Sequence, residues 1–210
     1  MKRQYATLDH YIVYYQKRMR LSDAEMAAFI LERQAERVRY SDANREAILA
    51  LGHEHGLIFA SHDDATLAHV EEARRNGVAI AEFPTTIEAA RTAHAGGLAV
   101  LMGAPNVVRG GSHNGNIAAA DLARAGVLDV LSSDYVPYAL LQAAFLLPQR
   151  AQEVSLPMSV ALVTRNPARA AGLTDRGEIA VDKRADLARV AMVRGLPVVK
   201  SVWRQGKRVS

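Results

Sequence analysis

Residues 57–66 read LIFASHDDAT, so four apolar residues run directly into a serine, a histidine and two aspartates. An apolar run without alternation is typical of a strand that is buried on both faces. Polar groups at the carboxyl end of such a strand lie where α/β folds place their chemistry, which makes His62 the first candidate functional residue. Asp64 would then cap a helix that begins at Ala65. The alternative, that the aspartates are only caps and His62 is a loop histidine, stays open because the motif is short.

The size and composition of the chain indicate an ordinary globular protein. Its 210 residues suffice for one domain with a hydrophobic core, with or without a small additional element. Half of the residues are hydrophobic and 23% are charged. The chain has no cysteine, which excludes disulfides, thiolate metal ligands and cysteine nucleophiles. A metal would therefore have to be held by histidine and carboxylate side chains, which suit zinc, manganese, iron or magnesium.

Neither a membrane nor a nucleic acid is expected as a partner. No apolar run approaches the roughly 18 residues that a membrane span needs, and the first residues do not resemble a secretory signal. We therefore expect a cytoplasmic protein. The net charge of +4 is carried mostly by arginine, whose guanidinium suits phosphate and phosphonate groups. The basic residues form no continuous run with interleaved aromatics, so scattered solubilising charge is the alternative to a specific anion site.

The predicted elements divide the chain into three segments. Residues 1–56 are expected to form three helices, ending near Arg20, Arg39 and Gly56, with a break before the third at Ser41 and Asp42. Residues 57–172 alternate between strand and helix, which indicates a parallel sheet, either half of an eight-stranded (β/α) barrel or a small open sheet. Residues 173–210 are expected to form a small β element. The predicted strands are residues 57–60, 78–83, 98–102 and 128–131, followed by 177–180, 185–190 and 198–204.

Three polar segments follow the predicted parallel strands, and all three should face one end of the sheet. The candidate side chains in them are His62, Arg109, His113 and Asp134. Histidine nitrogens and carboxylate oxygens are the usual ligands of catalytic metals, whose bound water is a nucleophile near neutral pH. Asp134 could serve as a metal ligand, as a general base or as both.

Residues 103–116 are predicted to form a long glycine-rich loop. Glycine lets a ligand approach the backbone closely, so a phosphate-binding loop is favoured over a flexible surface loop. Its candidate substrate-binding residues are Asn106, Arg109, Gly110, Gly111 and His113. Glu82, at the end of another predicted strand, is a further candidate for the site. His69 and His94 fall on predicted helices and are expected to face solvent.

Several segments resemble the metal-dependent amidohydrolases of the carbon–phosphorus lyase pathway of phosphonate degradation. These segments are residues 60–66 (ASHDDAT), 81–86 (AEFPTT), 101–116, 131–135 (LSSDY) and 202–209 (VWRQGKRV). The resemblance extends over essentially the whole chain. It implies a (β/α)₈ barrel with a small β-sandwich domain, and a reaction that releases diphosphate from a phosphorylated ribose phosphonate. The substrate it implies is a ribose 1-methylphosphonate 5-triphosphate, and the sugar product that remains after diphosphate release is the 5-phosphate.

The resemblance also implies roles for individual residues. His62 would be the metal-ligand histidine after barrel strand six, and Asp134 the strand-eight aspartate that binds metal and activates water. The cofactor would be one or two divalent ions of zinc, manganese or iron. Arg109 and His113, in the strand-seven loop, would face the phosphonate or the polyphosphate. The expected fold is therefore α/β, a partial (β/α)₈ barrel of about strands six to eight with flanking helices and a small carboxyl-terminal β element.

The chain departs from the superfamily pattern in its metal ligands. The strand-one motif, a histidine followed two residues later by histidine or aspartate, is matched only by His53-Glu54-His55 in a predicted helix. The strand-four bridging residue and the strand-five histidine have no counterpart. We therefore expect the carboxyl-terminal portion of the enzyme, with the other half or a second copy of the chain as partner. Because His62 and Asp134 alone fall short of a usual metal site, little diphosphatase activity is expected from this chain.

Two other functions stay open. One is a non-catalytic phosphate-binding remnant, or a subunit of a split enzyme. The other is a different amidohydrolase reaction, such as deamination or cyclic-amide hydrolysis. The arginine and glycines of residues 103–116 disfavour these reactions, because a neutral amide substrate needs no phosphate-binding loop.

Overall fold

The computed structural model describes residue 5, residues 7–112 and residues 115–210. The chain forms two compact units, Met1–Phe59 and Ala60–Ser210. The three-segment division inferred from the sequence stays a prediction. Within the described residues, no helix combines the length and the apolar character that a bilayer crossing demands.

The first unit contains two helices, α1 (Leu8–Met19) and α2 (Asp23–Glu54). α2 begins with the capping box that its first residues predict. The predicted break at Ser41 and Asp42 is wrong, because α2 continues through both residues. Residues 23–51 contain neither glycine nor proline, so nothing in the backbone interrupts the helix there.

The second unit is built on a four-stranded sheet with the order β1-β2-β3-β4. β3 pairs in parallel with both β2 and β4, as the alternation of strands and helices predicts. The strands are β1 (Phe59–His62), β2 (Val78–Glu82), β3 (Ala99–Gly103) and β4 (Val130–Ser132). The helices are α3 (Leu67–Arg75), α4 (Ile87–Ala95), α5 (Ala104–Arg109), α6 (Ala119–Arg124), α7 (Ala139–Arg150), α8 (Leu156–Ala161) and α9 (Arg165–Ala170).

Three of the four strands begin one or two residues later than predicted. For two of them the cause is the same: Leu57 and Leu98 follow a glycine and donate their amides back to the preceding helix, at 2.8 and 3.0 Å. Such an apolar residue closes the end of a helix and does not start a strand. At its other end β1 runs further than predicted, so His62 is its last residue and not a loop residue beyond it.

The prediction that the first strand is buried on both faces is wrong. The residues of β1 alternate between half-buried and exposed, as expected of a strand at the edge of a sheet. The predicted cap of the next helix also differs. Thr66, not Asp64, caps α3 by accepting the amide of His69, and Asp64 is instead buried.

The segment predicted as a glycine-rich loop contains a short helix. Residues 104–109 form α5 directly after β3. Pro105 favours a helix start because its ring fixes a helical φ, and Gly110 ends the helix with φ 88°. The glycines therefore mark a helix end as well as a turn, and the loop proper is shorter than predicted.

The hydrophobic core of the second unit lies between the sheet and its helices. The helices contribute many buried alanines, and small side chains allow helix and sheet to approach closely. Leu122 of α6 and Leu147 of α7 are among the largest side chains that are fully buried in this core. Val100, in the central strand β3, is likewise fully buried.

The carboxyl-terminal segment forms a second, antiparallel sheet of β5 (Leu187–Val193), β6 (Leu196–Arg204) and β7 (Lys207–Arg208). Its two hairpin turns are Arg194-Gly195 and Gln205-Gly206, whose residues all have positive φ. This is the backbone of a two-residue turn that matches the twist of the flanking strands. The predicted small β element is thus present as a three-stranded sheet.

Residues 177–180 do not form the predicted strand. Gly177 has φ 97° and packs against the start of α9, a conformation that no strand adopts. Ion pairs link the residues on either side of this segment instead. Hydrogen bonds from Arg176 and Arg184 lower the pKa of Asp175 to about 2.

The strand numbers implied by the resemblance conflict with the observed order. His62 ends β1 and Asp134 follows β4, with β2 and β3 between them. If His62 followed barrel strand six and Asp134 followed strand eight, only one strand would separate them. The two assignments therefore cannot both hold.

Candidate functional site

Three residues just beyond the strands adopt left-handed backbone conformations. Asp63 follows β1 with φ 58°, Phe83 follows β2 with φ 53°, and Asp134 lies shortly beyond β4 with φ 52°. Such conformations are uncommon for residues other than glycine and often occur at functional sites. The amides of Asp63 and Phe83 donate to carbonyls of the next strand, on Glu82 at 3.0 Å and on Leu101 at 2.9 Å. These bonds hold the strained residues in place at the carboxyl edge of the sheet.

His62 lies between two carboxylates at this edge. Its Nδ1 is 2.9 Å from Oε2 of Glu82, and its Nε2 is 3.3 Å from Oδ2 of Asp63. The ring also makes an edge contact with Phe83, with 5.4 Å between the ring centroids. Since 58% of the His62 side chain is exposed, the ring is both oriented and accessible. Glu82, only a further candidate in the sequence, is the closer of its two carboxylate partners.

Asp134 lies against the last residue of β3. A Cβ atom on Gly103 would be 2.9 Å from Oδ2 and 3.3 Å from Cβ of Asp134. Contacts that short do not occur between ordinary side chains, so glycine at this position makes room for the Asp134 carboxylate. Gly103 is also the residue from which α5 starts.

Replacing Gly103 with alanine is expected to displace the Asp134 side chain and to lower the free energy of unfolding by about 1–3 kcal/mol, the usual range for overpacking. The backbone there has φ −76° and ψ 132°, which alanine adopts without strain. Urea denaturation followed by circular dichroism measures the loss. In an Asp134→Gly background the same substitution should be nearly neutral, because the clashing side chain is gone. Equal losses in both backgrounds would contradict the contact.

Arg109 and Tyr135 connect the end of α5 to the segment after β4. Nη1 of Arg109 donates a hydrogen bond to the Tyr135 hydroxyl, and the guanidinium lies 5.9 Å from the centroid of the Tyr135 ring. Tyr135 directly follows Asp134 in the chain. The residue after the predicted catalytic aspartate thus carries a phenol hydroxyl that holds a cation, and both groups are suited to phosphate oxygens.

The other predicted substrate-binding residues have different surroundings. Oδ1 of Asn106 accepts the amide of Ala119 at 2.9 Å, at the start of α6. A Cβ atom on Gly110 would lie 2.7 Å from an arginine nitrogen of α7, whereas one on Gly111 would meet no atom within 4 Å. His113 lies outside the described residues. Contact of these four residues with a substrate stays a prediction.

The two predicted metal ligands lie at opposite edges of the sheet. β2 and β3 separate the strands of His62 and Asp134, a distance of about 14 Å at the usual spacing of neighbouring strands. Among the residues that the structure describes, no group of three or more histidine, cysteine or carboxylate side chains could hold a metal ion. A catalytic metal normally needs three or more protein ligands. The described side chains alone do not complete a metal site.

A second histidine–carboxylate pair lies at the amino end of the strands. Nδ1 of His94 is 2.9 Å from Oδ2 of Asp129, which also accepts the amide of Val100 at 2.8 Å. His94 was predicted to face solvent, and 41% of its side chain does. Nothing in the sequence signals its pairing with Asp129, which lies 35 residues away.

Comparison with known proteins gives a family and one closely similar relative. The sequence pattern of the amidohydrolase family matches residues 21–209. The chain is 50% identical over 209 residues to the alpha-D-ribose 1-methylphosphonate 5-triphosphate diphosphatase of Escherichia coli strain K12. The match covers 99% of this chain and 55% of the relative, so the chain spans about half the length of that protein.

Solved structures show the same fold at lower identity. An amidohydrolase from an environmental sample of the Sargasso Sea superposes with a TM-score of 0.60 at 20% identity, covering 79% of this chain and 44% of the other. An uncharacterised protein superposes with a TM-score of 0.58 at 18% identity, covering 81% of this chain and 50% of the other. At such identities the similarity establishes the fold alone.

Proposed function

This chain belongs to the amidohydrolase family, and on that basis we propose that it takes part in hydrolysing α-D-ribose 1-methylphosphonate 5-triphosphate to the 5-phosphate and diphosphate. The reaction consumes one water and breaks one P–O–P linkage. The 50% identity to the Escherichia coli diphosphatase supports this substrate. The observation that carries the proposal is the set of polar side chains at the carboxyl ends of the strands. His62 and Glu82 lie at the β1 side and Asp134 at the β4 side, where Tyr135 accepts a hydrogen bond from Arg109.

We assign the proton transfer to Asp134. Its carboxylate, for which Gly103 makes room, takes a proton from the attacking water. Arg109 and the Tyr135 hydroxyl bind phosphate oxygens and stabilise the charge that grows on the departing diphosphate. Gly111, two residues after Arg109, leaves space for the polyphosphate, since a Cβ atom there would meet no atom within 4 Å.

Members of this family generally use divalent metals. We propose His62 and Asp134 as ligands of a metal centre of one or two zinc, manganese or iron ions, whose further ligands would come from polypeptide beyond the described residues. If Asp134 follows barrel strand eight, then β1 is strand five, and His62 takes the place of the strand-five histidine. Because the described side chains do not complete a site, no catalytic step is assigned to a metal within this chain.

The purified chain is expected to bind tripolyphosphate without turning over the proposed substrate. Binding should be at least about tenfold weaker in Arg109→Ala, a loss of about 1.4 kcal/mol, because a charge-assisted hydrogen bond to phosphate is removed. Diphosphate release should stay far below the roughly 1 to 1,000 per second of typical enzymes, even with added zinc or manganese, because the described side chains do not complete a metal site. Calorimetry measures the binding, and a coupled diphosphate assay measures the turnover.

The exposed α4 residue Arg91 provides the matched control. Arg91→Ala removes an equal charge from a helix residue that is not part of the proposed site, and it should leave tripolyphosphate binding unchanged. Equal weakening by both substitutions would mean that binding depends only on net charge. Turnover by the isolated chain at enzyme-like rates would show that the ligand set is complete after all. Binding without turnover also fits a phosphate-binding subunit, the second candidate, which the incomplete ligand set favours.

A further inference from the structure

The contacts of His62 bear on which of its two ring nitrogens carries the proton. We infer that Glu82 is a positioning residue: it keeps the proton of neutral His62 on Nδ1 and leaves the lone pair of Nε2 available. A neutral imidazole carries one proton, and the hydrogen bond made by one nitrogen decides the character of the other. The inference deepens the proposed function, because it specifies which atom of His62 would act as ligand.

The geometry favours Glu82 over Asp63 as the partner that fixes the proton. The 2.9 Å separation between Nδ1 and Glu82 is that of a normal hydrogen bond, whereas the 3.3 Å between Nε2 and Asp63 is longer than the usual range. Both carboxylates accept hydrogen bonds, so they compete for the single proton of the ring. The shorter contact should win, which leaves Nε2 unprotonated.

The backbone holds Glu82 and His62 together. The two residues end neighbouring strands, and the amide of Asp63 donates to the carbonyl of Glu82 at 3.0 Å. The contact between the rings of His62 and Phe83 further restricts rotation of the imidazole. A ring that donates from one nitrogen to a carboxylate and keeps a lone pair on the other is the arrangement found for histidines whose second nitrogen binds a metal.

Nitrogen NMR of the ¹⁵N-labelled, metal-free chain tests the inference, because the two ring nitrogens give distinct signals according to which one carries the proton. At a pH where histidine is neutral, His62 should show the Nδ1–H form, and a His62→Asn variant assigns its signals. His94 provides an internal reference in the same spectrum, since its Nδ1 is also 2.9 Å from a carboxylate.

Two substitutions at Glu82 complete the test. Glu82→Ala should cause loss of the Nδ1–H form of His62 and leave His94 unchanged. Glu82→Gln should retain the Nδ1–H form, because the amide oxygen can still accept the hydrogen bond. A wild-type His62 protonated on Nε2, or an Nδ1–H form that survives Glu82→Ala, would overturn the inference. If either variant fails to fold, the wild-type spectrum alone still decides the protonated nitrogen.

Addition of zinc separates this inference from the proposed function. Zinc bound by His62 should shift the Nε2 signal of the wild-type chain, and this shift should be lost in Glu82→Ala. If the Nδ1–H form is present but zinc has no effect, the ligand role of His62 in this chain fails, and the positioning role of Glu82 stands. If zinc shifts Nδ1 instead of Nε2, the positioning role is overturned, and the ligand role survives.

Discussion

Replacing Gly177 with alanine should lower the free energy of unfolding by about 2–4 kcal/mol, from backbone strain and overpacking together. Its φ of 97° lies in a region that residues with a side chain rarely adopt. A Cβ atom there would also lie 2.8 Å from Cα of Arg165, 2.9 Å from Cβ of Ala168 and 2.9 Å from the carbonyl oxygen of Thr164. Two of these are backbone atoms at the start of α9, which cannot move aside as a flexible side chain could.

Gly195 is the matched control for Gly177. It has a similar φ of 80°, but a Cβ atom there would meet nothing within 4 Å. Gly195→Ala should therefore cost only the strain term, about 1 kcal/mol. Urea denaturation of the two variants isolates the packing term as their difference. Equal losses would show that the segment around Gly177 does not pack against α9 as described.

Truncating Leu147 to alanine is the second substitution with a large expected effect. Leu147 is fully buried in α7 and belongs to the core of the second unit. Loss of its methyl groups leaves a cavity, for which about 2–5 kcal/mol is the measured range in protein cores. The midpoint of urea denaturation should fall accordingly, with an unchanged dependence on urea concentration.

Leu156, at the start of α8, provides the comparison for Leu147. Its side chain is 43% exposed, so Leu156→Ala removes less buried surface and should cost well under about 1 kcal/mol. If the two truncations destabilised the chain equally, Leu147 would not lie in the core. A large loss from Leu147→Ala alone supports α7 as an integral part of the packed unit.

The fold was predictable where local chemistry decides it. The alternation of strands and helices in residues 57–172 follows from apolar runs separated by helix caps, and it is present. The strand starts were not predictable from hydrophobicity. An apolar residue such as Leu98 looks the same whether it continues a strand or closes the helix before it, and only the bond from its amide to Ala93 distinguishes the two.

The positions of the candidate side chains at the strand ends were predictable, and their contacts were not. His62 and Asp134 were found because polar residues at strand ends are visible in the sequence. The pairing of His62 with Glu82 depends on how β1 and β2 lie side by side, and the two residues are 20 positions apart. For the same reason the use of Asn106 to hold the start of α6 could not be foreseen.

The left-handed residues at the strand ends bear on how this chain could be engineered. At its helix ends the chain uses glycine for positive φ, at Gly97 and Gly126 among others, where only the turn of the backbone matters. At Asp63, Phe83 and Asp134 it keeps side chains that strain the backbone by about 1–2 kcal/mol each. Substitution by glycine would relieve that strain but would also remove the side chains that lie at the carboxyl ends of the strands. The positions most open to stabilisation are therefore those whose side chains the proposed site would lose.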